Sequence, residues 1–359
     1  MPAAAITLEV LPAGYGDALL VTCPLRRGAW RMLVDTGPDE CWPMLRKRLA
    51  EIPQNAKGQR RIDLMIVSHI DHDHIGGAKA LFADKTLNLV FGDVWFNAPE
   101  MPGMPKPRGV AEGHALAAVL GVSASTVPWN KAWGGMPAVT SAEAAFIEVT
   151  VAKGSPKITV LSPSPDSLSR LLKVWDRQVA RLALAAVAAP HAGSARTALD
   201  LEALASRKTA VDKAPANGSS IALLLEHKGR SLLLGADAHP QVLVLALAAL
   251  SQHRGQPMPL QVDAFKLSHH GSRANVTVGL LQAVQAEHYL VSTNGAIFGH
   301  PDDEAIARVI LKGGRARSIW FNYSTERVAK WLAHGLQERY GYTARAVNPS
   351  EVGVKLELS

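Results

Sequence analysis

Between Ser68 and Gly77 the chain reads Ser-His-Ile-Asp-His-Asp-His-Ile-Gly-Gly, so His69, Asp71, His72, Asp73 and His74 place three imidazoles and two carboxylates within six residues. Neutral imidazole and carboxylate are the ligands that suit divalent transition metals. A solvated polar loop has little use for such a density. Two later stretches repeat the theme: Gly235-Ala236-Asp237 brings a carboxylate to the exit of an apolar run, and Ser268-His269-His270-Gly271-Ser272 sets two imidazoles beside a glycine. His69, Asp71, Asp73, His74, Asp237 and His269 supply ligands for two cations, and His270 can exchange roles with His269.

These groups work only if rigid elements aim them at one point. Ile62 to Val67 is short, apolar and closed by Gly76-Gly77, which predicts a buried strand with the ligand loop at its C-terminal end. Ile221 to Glu226 and Arg230 to Leu234, joined through His227-Lys228-Gly229, predict a hairpin that delivers Asp237. Val262 to Leu267 predicts the strand before His269, and His288 to Ser292 one that leads to Phe298-Gly299-His300-Pro301. Upstream, two strands from Ile6 to Val21 flank Gly14-Tyr15-Gly16-Asp17, and Arg31 to Val34 runs into Asp35.

The helical spacing of Leu45 and Leu49 predicts a helix within residues 40 to 56, Ala78 to Ala83 a second, and Leu87 to Phe96 a strand. Beyond it, Pro99, Pro102, Pro105 and Pro107 break regular structure, and Trp129, Trp133 and Gly134-Gly135 suggest a loop or hairpin beside the site. Leu168 to Ala205 fits one or two helices broken near Pro190. Their Arg170, Arg177, Arg181 and Arg196, with Arg207, line a substrate groove or simply a solvated face.

With 359 residues, 48% of them hydrophobic, the chain has ample material for a sizeable core. Lys and Arg exceed Asp and Glu by 38 to 31, a formal charge of +7 that favours anionic partners without naming one. Cys23 and Cys41 cannot build a disulfide framework and fit a reducing cytoplasm. The N-terminus lacks the positive region of a secretory signal. The most apolar run, Val242 to Leu250, falls far short of the ~20 residues that span a bilayer, so no membrane association is expected.

The His69 loop, Gly235-Ala236-Asp237 and Ser268-His269-His270-Gly271-Ser272 together resemble the metallo-β-lactamase superfamily, whose hallmark is His-x-His-x-Asp-His followed by Gly-Gly. His69, Asp73 and His74 match that hallmark. Asp71 stands where the second His usually lies, a variant similar to the soluble hydrolase domain of ComEC-type DNA-uptake channel proteins and their stand-alone relatives. The Asn217-Gly218-Ser219-Ser220 and Gly299-His300-Pro301 stretches also resemble that group.

The resemblance implies an α/β fold, the four-layer αββα sandwich with metals at one edge, as a single domain over 1-359 with a variable insertion at about 97-215. It assigns His69 and Asp71 to a first metal, Asp73, His74 and His269 to a second, and Asp237 to the bridge. It places Asn217 where a third His would hold the first metal, and Asp35 under the metal loop. Asp35, Asn217 and Ser272 are thereby candidates for substrate or weak metal contact. Having Asp71 and Asn217 in place of His makes the first site poorer in nitrogen, so manganese or magnesium gains there relative to zinc.

The expected activity is that of a metal-dependent hydrolase. A metal-bridged hydroxide attacks the substrate, with Asp73 and Asp237 in catalytic positions and His300 holding substrate or protonating a leaving group. Charge and resemblance favour a phosphodiesterase or nuclease-like enzyme acting on nucleic acid or a nucleotide diester. An acyl hydrolase acting on a lactone, thioester or β-lactam uses the same ligands, and a non-catalytic metal-bound module that senses an anion is the reading from another class.

Overall fold

The strand before the ligand loop is apolar at every position because it is covered on both faces. Leu64 and Ile66 face one core, and Met65 and Val67 the other. The same alternation recurs at 222–225, where Leu223 and Leu225 share the first of those cores while Ala222 and Leu224 enter a third. Three cores separated by two sheets make four layers. The computed structural model describes residues 5–99, 112–122, 127–185, 199–315, 317–347 and 353–359.

In chain order the first strands are β1 (Ile6–Val10), β2 (Leu19–Pro24), β3 (Ala29–Val34), β4 (Arg60–Ile62), β5 (Leu64–Ile66), β6 (Leu89–Phe91), β7 (Val94–Trp95) and β8 (Ile147–Val149). The remainder are β9 (Lys157–Ser162), β10 (Ala222–His227), β11 (Arg230–Leu234), β12 (Leu260–Lys266), β13 (Val284–Val291), β14 (Ser318–Phe321), β15 (Thr343–Ala346) and β16 (Val354–Leu358). A six-stranded sheet runs β16-β1-β2-β3-β5-β7, an eight-stranded sheet runs β15-β14-β13-β12-β11-β10-β9-β8, and β4 pairs with β6 apart from both.

Helices cover both outer faces. Trp42–Ala50 contributes Leu45 and Leu49, and Ala78–Ala83 contributes Leu81 and Phe82, to the core outside the six-stranded sheet. Pro240–His253 and Asp303–Lys312 cover the eight-stranded sheet through Leu243, Leu247, Ile306 and Ile310. Among the described residues no helix is long and apolar enough to cross a membrane. The Val242 to Leu250 run instead lies within one of these helices, which buries Leu243, Ala246, Leu247 and Leu250 and leaves Leu245 exposed.

Strand order decides where chemistry can occur. β3, β5 and β7 are mutually parallel, as are β11 through β15. The loops leaving β5, β11, β12 and β13 therefore open at strand C-terminal ends, the usual crevice of an open α/β sheet. The β10–β11 hairpin forms as expected: His227 pairs with Arg230, leaving Lys228 and Gly229 at φ 49° and 79°, the signs a two-residue type I′ turn requires.

The single strand expected over Leu87 to Phe96 is two strands, β6 and β7, in different sheets. Asp93 causes the break: its carboxylate accepts the Val94, Lys131 and Ala132 N–H groups and the Trp95 indole N–H, forming a buried turn. The Trp129 to Gly135 segment packs against β7 and Trp95 rather than beside the site, with the Trp129 indole donating to Phe96 O at 2.9 Å. The span 97–215 also supplies β8 and β9, which extend the eight-stranded sheet beyond β10. The helices expected near Leu168 to Ala205 are Pro165–Ala185 and Leu201–Ser206. Pro190, Arg196 and the side chains of Arg177 and Arg181 lie outside the described residues. Arg170 bonds Ser167 and Arg207 bonds Glu304.

Candidate metal centre

After β5 the chain makes one helical turn, His72–Ile75, entered from Asp71 in extended conformation. That turn directs Asp73 and His74 inward, both buried. His72 points away, with Nε2 3.2 Å from Asp39 on the surface. Beneath the loop, Asp35 accepts the Ser68 N–H and the Ser68 hydroxyl, each at 2.7 Å, and the His74 Nδ1–H at 2.8 Å. From another side the Gly14–Asp17 turn presses against Asp73, whose carbonyl accepts the Asp17 N–H at 3.1 Å. A Cβ on Gly16 would stand 1.8 Å from that carbonyl oxygen, so only glycine fits.

Each of the four inner imidazoles has its Nδ1 committed outward. His69 Nδ1 meets Ser68 Oγ at 2.9 Å, and because that hydroxyl already donates to Asp35, the ring N–H is the donor. His74 Nδ1–H donates to Asp35, and His270 Nδ1–H to the Ser292 carbonyl at 2.7 Å. His269 Nδ1 lies 3.0 Å from Asn275 Oδ1 and 3.3 Å from Asp212 Oδ2. All four rings thus turn Nε2 towards Asp237, at 3.8 Å for His69, 3.5 Å for His74, 3.6 Å for His269 and 4.0 Å for His270. Outer hydrogen bonds of this kind fix tautomer and ring direction in metal sites. His269 and His270 sit consecutively at φ 48° and 53°, and Ala236 before Asp237 at 42°, strained backbone of the sort concentrated at functional sites.

The fit to a cation is seen in what lacks a partner. His69 Nε2, His74 Nε2, His270 Nε2, Asp71 Oδ1 and Asp237 Oδ1 are all buried without a hydrogen bond. Buried polar atoms are otherwise nearly always satisfied, and these five are the ligand type for a divalent transition metal. Asn217 Oδ1 is a sixth such atom; its amide N–H donates to Asp212 at 2.7 Å, which fixes the oxygen as the free end. Beside the cluster opens a cleft of about 360 Å³ lined by Asp71, Asp73, Ala214, Asn217, Asp237, His269, Ile297, Phe298 and His300.

Electrostatics bind the cluster in metal-free form. Burial opposes the charge on Asp237, but His269, His74 and His270 outweigh it and hold the carboxyl well below its usual range. Burial likewise opposes protonation of His269, yet Asp237 and Asp212 push it up to about 9, and Asp237, Asp73 and Asp35 raise His74. A cation must displace those protons. Apparent metal affinity is therefore expected to rise as pH increases from 6 to about 9, with proton release visible as a buffer-dependent binding enthalpy in titration calorimetry. A pH-independent affinity with no proton release would contradict the arrangement.

The candidates read from sequence divide in an informative way. His69, Asp71, Asp73, His74, Asp237, His269 and His270 converge, and of the two adjacent imidazoles it is His270 that stands beside Asp73, with Nε2 3.2 Å from Asp73 Oδ2. His269 stands on the cleft side near Asn217. Asp35 does not line the cleft; it backs the centre from beneath, holding Ser68 and the outward nitrogen of His74. Ser272 is absent from the cleft: its Oγ accepts the Ala274 N–H within the turn after His270. His300 lines the cleft. Unforeseen were Asp212 and Asn275 behind His269, and Asp17 behind His270 at 3.5 Å. The Asp17 carboxylate is paired at 2.6 Å with the fully buried Lys266.

A family model described as the Metallo-beta-lactamase superfamily matches residues 13–124. ComE operon protein 3 of Bacillus subtilis (strain 168) is 35% identical over 105 residues, 26% of this chain, and the chain spans about 13% of that relative's length. The crystal structure of the metallo-beta-lactamase fold protein YhfI from Bacillus subtilis aligns at a TM-score of 0.43 and 11% identity, covering 98% of this chain and 99% of the other. Zn(2+)-bound PqqB from Methylobacterium extorquens aligns at 0.46 and 12%, covering 98% and 100%. From the matched N-terminal stretch, the ligand loop and the four layers described above, this is a metallo-beta-lactamase-fold protein that resembles the ComEC type.

Proposed function

We propose that the protein is a metal-dependent phosphodiesterase acting on nucleic acid or a nucleotide-like diester. The observation that carries the hydrolase reading is the set of buried ligand atoms without partners gathered around Asp237. His69, Asp71 and the Asn217 oxygen would hold one divalent cation and Asp73, His74 and His270 the other, with Asp237 between them and His269 on the cleft side. Divalent cations there supply Lewis acidity and bring the ionisation of water near neutral pH. We propose manganese or zinc, with magnesium possible at the oxygen-rich first site.

The chain's own groups do the positioning. Asp237 fixes the centre, and Asp73 is held on the helical turn by Gly16 and Asp17. His300 lies in the cleft, and burial lowers its pKa despite Asp302 at 3.4 Å. A neutral imidazole at that place offers an N–H to substrate oxygen or to a leaving group. The excess of basic residues favours an anionic substrate, and the two free cysteines agree with the reducing cytoplasm we propose as its location.

The decisive experiment is a side-by-side screen with manganese, magnesium and zinc over single- and double-stranded DNA, RNA, bis-p-nitrophenyl phosphate, a lactone and a thioester. Turnover of a diester is expected, abolished by chelator. Metal-dependent turnover of an acyl compound with every diester inert would overturn the proposal.

A further inference from the structure

Among the described residues few large apolar side chains are exposed, and Phe298, at 43%, is the one that faces the cleft. It meets Tyr15 in a T-shaped contact at 5.8 Å and 73°, and its plane lies 28° from that of the His300 ring, with centroids 6.3 Å apart. His300 in turn packs edge-on against His269 at 5.2 Å. A continuous file of rings therefore leads from the centre to the rim.

The loops carrying Tyr15 and Phe298 are tied together. Asn294 N–H donates to Gly14 O at 2.8 Å, Gly14 N–H donates to the Tyr323 hydroxyl at 2.7 Å, and Gly299 N–H closes back on Gly295 O at 3.2 Å. Phe298 is thus held on a tied loop and remains exposed, with His300 stacked towards one side of its ring.

We propose that Phe298, backed by Tyr15 and His300, is a stacking platform for the nucleobase next to the scissile phosphate. The inference rests on the phosphodiesterase reading and names the substrate part that reading leaves open. Apolar lining is confined to Ala214, Ile297 and Phe298, and the rest of the cleft is carboxylate, amide and imidazole. An acyl chain needs apolar cover on several sides, whereas a planar base needs one flat face. Base stacking on an aromatic residue tolerates any base, so broad base preference follows.

The test compares wild type, Phe298→Leu and Phe298→Trp on a thymidine dinucleotide and on the same diester with an abasic ribose on either side. Leucine keeps the bulk and loses the plane. Phe298→Leu is expected to raise KM for the base-bearing diester about tenfold with kcat little changed. Phe298→Trp is expected to retain the wild-type preference for a base. A binding readout without turnover uses a dinucleotide with one 2-aminopurine and no metal: fluorescence is quenched by wild type and the tryptophan variant, and not by the leucine variant. Equal KM for leucine and phenylalanine, or equal losses on base-bearing and abasic diesters, overturns the platform while leaving the phosphodiesterase standing. If wild type cleaves neither diester with any of the three metals, the phosphodiesterase reading falls and the platform falls with it.

Discussion

Asp237→Ala is expected to lower kcat by on the order of 10³-fold or more while the protein remains folded. Its carboxylate is the one group towards which His69, His74, His269 and His270 all turn. Removing it takes away the common ligand and a charge that raises His74, His269 and His270, so those three rings move back towards neutral and their burial becomes less costly. The fold should therefore survive, as circular dichroism would report. Metal content by elemental analysis should drop with activity. If Asp237→Ala keeps a tenth of wild-type turnover and a full metal complement, the centre has been placed wrongly.

The largest effect on stability is expected at Asp17 and Lys266. Lys266 Nζ is fully buried and meets Asp17 Oδ2 at 2.6 Å. His270 and Lys266 overcome the burial that would otherwise raise the Asp17 carboxyl, leaving it strongly acidic. Cutting one partner from a buried pair strands the other charge, which costs ~3–5 kcal/mol. Asp17→Asn should show that loss as a lower urea midpoint in the presence of chelator. Pairing Asp17→Asn with Lys266→Met removes both charges at similar volume and should recover most of it. A single change that shifts the midpoint by less than the equivalent of ~0.5 kcal/mol would mean that the pair is relieved by solvent.

These two sites also mark how far the sequence could be read. Ligands announced themselves because they cluster locally at strand ends: His69 to His74 in one turn, Asp237 after a hairpin, His269 and His270 before a glycine. The groups behind them carry no such signal. Asp17 and Lys266 lie 249 residues apart in the chain, and Lys266 in sequence is only the last polar residue of an apolar strand. Asp212 is one acid in a polar stretch, and nothing nearby says that His269 will reach it. The choice between His269 and His270 was open for the same reason. Two adjacent residues at positive φ splay apart in a way that residue identity alone does not determine. The β6–β7 break had a legible cue in Gly92-Asp93, overridden by the apolar residues on either side.

The ligand loop belongs to the six-stranded sheet, whereas Asp237, His269 and His270 hang from the eight-stranded one. A bound cation would therefore close a covalent-like ring through both layers, spanning the long stretch of chain between His74 and Asp237. Ligand that binds only the folded state adds stability by mass action, and closure of a long loop costs little more than closure of a short one. The two sheets of this molecule would then share one clasp, and a chelator would loosen the fold by the same act that removes its chemistry.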